Sequence, residues 1–171
     1  MIGCDTMMSL MNNFGVAPES KVYYHTLDDN IRCERLNRLN FPITVYGDGM
    51  TGDIRIHKRI NDGPLYLINW ENEYGELGGL RCTGNTVIYI IRDDKIIRCP
   101  VKDILVGDIL PLRYKHETSI SAKIIGNSIV PYIDPEVYFF ENITGMDTII
   151  INDIIIKMEG IYEDNSRMAS N

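Results

Sequence analysis

The sequence has 171 residues, a formal net charge of −7 and a composition that is 44% hydrophobic and 24% charged. That length predicts a single domain able to bury its own core, and the composition excludes a chain that is disordered throughout. The acidic balance disfavours binding to phosphate backbones, so we expect no nucleic-acid partner. No apolar run approaches the roughly 20 residues of a membrane-spanning helix, so we expect no membrane partner either.

Residues 1–14 are a Met-rich segment that we interpret as an N-terminal arm. The segment has no basic stretch followed by a long apolar run, so we expect no secretory signal and a location in the cytoplasm or in a virion. It is either a short helix that ends at Gly15 or an ordered arm that packs on another molecule. Its candidate partner-contacting residues are Met7, Met8, Leu10, Met11 and Phe14.

From residue 21 onward the sequence predicts about twelve short strands separated by turn residues. Residues 54–60 alternate apolar and polar side chains, which is typical of a strand with one buried face. We expect residues 123–130 to form one strand, and residues 109–114 to form another that lies at an edge or bulge because it contains Pro111. Asn152 and Asp153 predict a tight hairpin between two isoleucine-rich strands. The predicted fold class is therefore all-β, with residues 161–171 as a polar tail.

The four cysteines are Cys4, Cys33, Cys82 and Cys99. None forms a Cys-x-x-Cys pair, and no histidine lies at a metal-ligand spacing from any of them. We therefore expect reduced, mostly buried thiols, no metal site and no cofactor.

Three stretches resemble motifs of the Hint (Hedgehog/intein) family. Residues 80–89, LRCTGNTVIY, are similar to the block in which a strand ends in Thr-x-x-His and a new strand begins. Residues 101–110, VKDILVGDIL, resemble the element that leads into Val-Gly-Asp. Residues 137–156 resemble the C-terminal pair of strands. The resemblance covers residues 15–160 and implies a Hint-like β fold over that range.

The same resemblance implies that the residues of self-cleavage and splicing are missing. The position of the family's attacking Cys or Ser is taken by Gly15 or Val16. The Thr-x-x-His motif begins at Thr83 but ends at Thr86, whose hydroxyl cannot protonate a leaving nitrogen near neutral pH. The final His-Asn of inteins is replaced by Lys157 and Met158. We therefore expect a degenerate family member that is not an enzyme.

Other residues with reactive or aromatic side chains have more ordinary interpretations. His25, His57 and His116 lie on three separate segments, and His57 is on the polar face of its strand, so we expect it to be a solvated surface residue. Aspartate pairs at residues 28–29 and 93–94 fall in predicted turns. Trp70 and Tyr74 beside a polar loop are either partner anchors or residues that complete the core edge.

Our leading hypothesis is a non-catalytic structural or interaction module. We expect a phage or virus virion component, such as a neck, tail or decoration subunit, that binds other protein subunits in a homo- or hetero-oligomer. The alternative is an intein-like self-processing domain with a displaced nucleophile, Cys4 or Cys82. A weaker third hypothesis is a β domain that binds a small molecule or a glycan.

Overall fold

The computed structural model describes residues 14–39, 42–130 and 136–158. Over these residues the chain folds into thirteen β-strands and two three-residue 3₁₀ helices, Leu36–Arg38 and Val101–Asp103. The prediction of an all-β fold is therefore confirmed. The strands are β1 Lys21–His25, β2 Ile31–Arg35, β3 Ile43–Gly47, β4 Met50–Ile60, β5 Leu65–Asn72, β6 Leu77–Thr83, β7 Val87–Arg92, β8 Lys95–Pro100, β9 Ile109–Tyr114, β10 Thr118–Ile129, β11 Glu136–Asn142, β12 Thr148–Ile151 and β13 Ile154–Lys157.

The strands form two antiparallel sheets. One has five strands in the order β11-β4-β3-β1-β2, and the other has eight, in the order β12-β13-β7-β9-β10-β5-β6 with β8 paired to β7. Val16 joins the sheets, because it bridges Cys82 in β6 and Tyr138 in β11. The segment that precedes β1 therefore covers the edges of β6 and β11, which would otherwise present unpaired backbone groups.

Local turn chemistry explains the hairpins. Asn152 and Asp153, between β12 and β13, have φ of 52° and 65°, and Asp93 and Asp94, between β7 and β8, have φ of 52° and 62°. Asn and Asp tolerate this left-handed conformation, which the central residues of a type I′ turn need. The predicted hairpin at Asn152 and Asp153 is confirmed.

Two strand predictions need correction. The strand predicted at residues 123–130 begins at Thr118 and contains an irregularity between Ile124 and Gly126. Pro111 is not on an edge strand, because β9 pairs with β10 on one side and with β7 and β13 on the other. On that second side the pairings involve only Ile109 and Leu112, so Pro111 lies where no ladder hydrogen bond is required of its nitrogen.

The core lies between the sheets and extends through β11, β12 and β13. All six isoleucines of the β12–β13 hairpin are buried, which explains why the apolar residues there run continuously instead of alternating. Phe14 is also part of the core: it is 5% exposed, and its ring centroid lies 5.5 Å from that of Phe140. Its side chain therefore packs on this domain itself, unlike the partner contact expected from the sequence. Residues 7–11 and 161–171 lie outside the described residues.

No helix in the described part of the chain is long and apolar enough to cross a membrane.

Candidate functional site

The segment around Gly15 is held between β6 and β11 by backbone hydrogen bonds. The Thr83 N–H donates to the Gly15 carbonyl at 2.8 Å, and the Ala17 N–H donates to the Arg81 carbonyl at 2.9 Å. On the other side Val16 and Tyr138 exchange two bonds of 2.9 Å each. Gly15, at the position that the resemblance assigns to the nucleophile, is thus buried directly beside the end of β6.

The turn from Thr83 to Thr86 lies against this segment. The Thr86 N–H donates to the Thr83 carbonyl at 3.1 Å, and the two hydroxyl oxygens are also 3.1 Å apart. Thr86 is fully buried, and its carbonyl accepts the N–H of Val101 at 2.8 Å. The position that the resemblance assigns to the general acid is therefore occupied by a threonine whose side chain is buried in the core.

The C-terminal end of β13 approaches the same turn. Ile156 pairs with Ile88 in antiparallel register, so the chain beyond Ile156 runs towards Thr86. Met158 is buried, and its N–H donates to the Asp147 carbonyl at 3.0 Å, whereas Lys157 is half-buried. The fold thus brings the three parts of the site predicted from the sequence to one region. They are Gly15, the Thr83–Thr86 turn and the C-terminal end of β13.

A side chain on residue 15 would be crowded by the side chains of Val137 and Thr83. A Cβ atom built on Gly15 would lie 2.9 Å from Val137 Cγ2, 3.0 Å from Val137 Cβ and 3.3 Å from Thr83 Cγ2. Side-chain carbon atoms do not normally approach so closely. The side chains of Val137 and Thr83 therefore crowd the position of a Cβ atom on residue 15, from which an attacking thiol or hydroxyl would extend.

Among the described cysteines, Cys82 forms a β-bridge with Val16, and its burial favours the protonated thiol. The side chain is completely buried, and burial raises the pKa of Cys82 to about 12, although a hydrogen bond with Thr86 acts in the opposite direction. The thiolate is the attacking species in cysteine chemistry, so the raised pKa disfavours attack by Cys82 at neutral pH. Cys4, the other thiol considered as a displaced nucleophile, lies outside the described residues.

No protein-family model matches the sequence, and no curated protein matches it. Solved structures do match. An intein from a hyperthermophile superposes with a TM-score of 0.68 at 11% identity, over 85% of this chain and 99% of that chain. The chain has an intein-like Hint fold.

Further inteins support this assignment of the fold. The Pab PolII intein, solved by NMR in solution, gives a TM-score of 0.63 at 12% identity, over 84% of this chain and 100% of the other. The Ssp DnaB mini-intein variant M86 gives 0.56 at 13% identity, over 85% and 95% of the two chains. The Hint fold thus accounts for nearly the whole of each intein and for most of this chain.

Trp70 and Tyr74, the two aromatic candidates for partner contact beside the polar loop, lie in different environments. Trp70 is 5% exposed and packs over Gly78, which fits the alternative in which it completes the core edge. Tyr74 is 63% exposed, with its ring centroid 6.1 Å from that of Tyr114. Partner contact by Tyr74 stays a prediction.

The three histidines make more contacts with other side chains than the sequence suggested. Tyr46 brings two of them together: its hydroxyl lies 2.7 Å from His25 Nε2, and its ring stacks on His116 with centroids 4.0 Å apart. His57 is not simply solvated, because it stacks on Phe139 and lies 3.1 Å from a Glu141 carboxylate oxygen. No periodic pattern in the sequence identifies these contacts, since they join different strands and turns.

Within the described residues no group of three or more His, Cys, Asp or Glu side chains could hold a metal ion.

Proposed function

We propose that this chain is a Hint-fold module without self-processing chemistry, which acts through contacts with other protein subunits. The observation that carries the proposal is the filled space at Gly15. Covalent autoprocessing needs a side chain that attacks the preceding carbonyl. Gly15 supplies none, and Val137 and Thr83 occupy the volume where one would stand.

The residues at the other two positions, Thr86 and Lys157–Met158, support the same proposal. Near neutral pH the Thr86 hydroxyl does not protonate a leaving nitrogen, and loss of a general acid costs about 10²- to 10⁴-fold in rate. Lys157 and Met158 have no side-chain amide, so neither can cyclise in the way that the resemblance assigns to the final Asn of inteins. Three independent chemical functions would have to be replaced together for activity.

A second candidate is a self-processing domain, and the structural comparisons favour it. The matched structures are those of inteins, and this chain covers 95–100% of the lengths of the three compared above. At sequence identities of 11–13%, this structural similarity shows a shared fold but does not show a shared chemical activity. The two candidates differ in a single measurable property, which is whether a peptide bond breaks.

Intact mass spectrometry tests this directly. The chain is placed between two folded reporter proteins, so that a peptide bond precedes and follows the domain, and is incubated at neutral pH with and without dithiothreitol. We expect an unchanged mass at every time point, because no thiolate or general acid is available at Gly15 and Thr86. Time-dependent products from a break near residue 15 or residue 158 would overturn the proposal. A Cys82→Ser variant then shows whether the buried thiol is the nucleophile.

Protein contacts are supported by strand edges that remain open in the described part of the chain. β2 pairs only with β1, and β8 pairs only with β7. Ile31 in β2 is 46% exposed and Ile96 in β8 is 70% exposed, so each edge also presents apolar surface. An open edge of this kind accepts a strand from another chain.

Virion membership receives no support from the matched structures and stays a prediction, as does location in the cytoplasm.

Native mass tests self-association through the N-terminal arm. Size-exclusion chromatography with light scattering is applied to the intact chain and to a deletion of residues 1–13, which keeps Phe14 because it belongs to the core. We expect the intact chain to be an oligomer and the deletion to be a folded monomer. Stable monomers in both samples would contradict self-assembly and leave only a different protein as partner.

A further inference from the structure

The free edge of β2 presents a defined set of backbone groups. The Leu36 N–H donates to the Ser20 carbonyl at 2.9 Å, and the Thr26 N–H donates to the Asn30 carbonyl at 2.8 Å. Hydrogen-bonded and non-hydrogen-bonded pairs alternate along an antiparallel ladder, so between these two bonds the even-numbered residues of β2 direct their backbone groups to β1. The odd-numbered residues of β2 therefore direct theirs to the free edge.

These outward-directed groups can pair with another strand. Ile31 and Cys33 each present an N–H and a carbonyl, and within the described part of the chain neither N–H has a hydrogen-bond acceptor. The Arg35 N–H donates to the Glu34 carboxylate at 2.8 Å, so Arg35 offers only its carbonyl. Ile31, Cys33 and Arg35 are all exposed, which leaves the edge accessible to a partner.

A cleft of 410 Å³ adjoins this edge. Cys33 of β2 lines it together with Lys21 and Tyr23 of β1, and its other walls come from β5, β6, β9 and the turn between β12 and β13. Residues that lie directly opposite each other on antiparallel strands have their side chains on the same face of the sheet. A residue opposite Cys33 on an added strand would therefore direct its side chain to the mouth of the cleft.

The charged side chains of the cleft favour a cation over an anion. The lining contains three carboxylates, Glu19, Glu76 and Asp153, and one ammonium group, that of Lys21. Glu19 pairs with Arg81, whereas the ion pairs among the described residues include neither Glu76, Asp153 nor Lys21. Two carboxylates without an ion pair thus outnumber one such ammonium group.

The negative charge of the cleft is not fully compensated by its surroundings. Glu76 accepts a hydrogen bond from the neutral side chain of Asn72 at 3.3 Å. Burial raises the pKa of Asp153 and the charge of Glu76 adds to that effect, although Lys115 and His116 act in the opposite direction. These attractions are weaker than the cost of burial, so a further positive charge would stabilise the Asp153 carboxylate.

The remaining walls suit a long side chain with a charged end. Tyr23, Trp70, Leu77, Leu112 and Tyr114 supply aromatic and aliphatic surface. The methylene groups of a lysine or arginine pack on such surface, while the charged end stays with polar groups.

We propose that β2 receives an extended, antiparallel strand of a partner protein, and that a lysine or arginine directly opposite Cys33 enters the cleft beside Glu76 and Asp153. The backbone groups of Ile31 and Cys33 hold the strand, and the cleft selects the side chain. This inference rests on the proposed contacts with other protein subunits. Native mass detects such contacts at any surface, so an oligomer whose β2 edge binds no strand would overturn this inference and leave the proposed function in place.

The test is a titration of the full chain with the capped peptide Thr-Glu-Thr-Lys-Thr-Ile-Thr at constant ionic strength. In antiparallel register its lysine lies opposite Cys33, its glutamate opposite Arg35 and its isoleucine opposite Ile31. Two-dimensional ¹H–¹⁵N spectra report binding, and hydrogen exchange reports whether the Ile31 and Cys33 amides become bonded. We expect saturable shifts and slower exchange at both amides. Replacing the peptide's lysine with glutamate should weaken binding about tenfold or more.

Two matched controls separate the edge from the cleft. A peptide methylated on the lysine backbone nitrogen keeps the side chain but cannot donate to the Cys33 carbonyl, so it should bind about tenfold more weakly. Asp153→Asn, at a position where asparagine tolerates the positive φ, should weaken binding about tenfold. Asp94→Asn makes the same change at the same position of the β7–β8 turn, outside the cleft, and should bind as the unmodified chain does.

Three results would overturn the proposal. The first is the absence of saturable binding by the lysine peptide. The second is equal binding by the methylated peptide, which would exclude strand pairing at β2. The third is equal binding by the glutamate peptide or by the two aspartate variants, which would exclude selection of a cation by the cleft.

Discussion

Replacing Gly15 with cysteine is expected to lower the free energy of unfolding by about 1–3 kcal/mol and not to start cleavage. The new Cβ would meet the Val137 side chain at 2.9 Å and Thr83 at 3.3 Å. Both neighbours are held by the strands that flank Gly15, so they cannot easily move away. Urea unfolding gives the stability change, and intact mass between reporter proteins gives the cleavage.

Gly63→Ala is the control for this substitution, because a Cβ at Gly63 meets no atom within 4 Å. We expect its stability to stay within about 0.5 kcal/mol of the unmodified chain. If Gly15→Cys is as stable as the control, the space at Gly15 is not filled. If it also cleaves on addition of thiol, the domain has kept its processing machinery and only the nucleophile was lost.

Replacing Asp108 with asparagine is expected to cost about 2–4 kcal/mol of stability at neutral pH. Asp108 is buried, and its carboxylate accepts two hydrogen bonds from Arg92, at 3.0 and 2.7 Å. It also accepts the Leu105 N–H at 2.8 Å, which closes the turn before β9. Asparagine has one acceptor oxygen and no charge, so it cannot satisfy both Arg92 and Leu105.

The cost of Asp108→Asn should depend on pH. The hydrogen bonds from Arg92 hold the pKa of Asp108 below the ordinary value of an aspartate side chain. A carboxyl group with a lowered folded-state pKa stabilises the fold above its unfolded-state pKa, and this contribution is lost as pH falls through the folded-state value. The difference in unfolding free energy between the two proteins should therefore be constant above about pH 5 and shrink below pH 4.

Asp94→Asn is the control, since it removes one carboxylate from a turn in which asparagine is equally tolerated at positive φ. Urea unfolding from pH 7 to pH 3 should show a change within about 0.5 kcal/mol for this variant. A cost for Asp108→Asn that is equally small, or one that does not shrink at acid pH, would show that the pair with Arg92 does not stabilise the turn.

Local sequence determined the strands and most of the turns. Asn152, Asp153, Asp93 and Asp94 adopt left-handed conformations because their short polar side chains permit it, and this requires no information from elsewhere in the chain. The family resemblance likewise located Gly15 and the Thr83–Thr86 turn. Where local patterns were misread, at Pro111 and at the start of β10, the reason was strand pairing, which propensity does not encode.

The sequence by itself determined the fold class, the turn positions and the residues that stand where the family's reactive groups would be. Only the tertiary structure decided what surrounds them. Val137 fills the space at Gly15, burial raises the pKa of Cys82 to about 12, and Phe14 packs into the core. Space and desolvation depend on which strands become neighbours, and that is decided only when the two sheets close over one core.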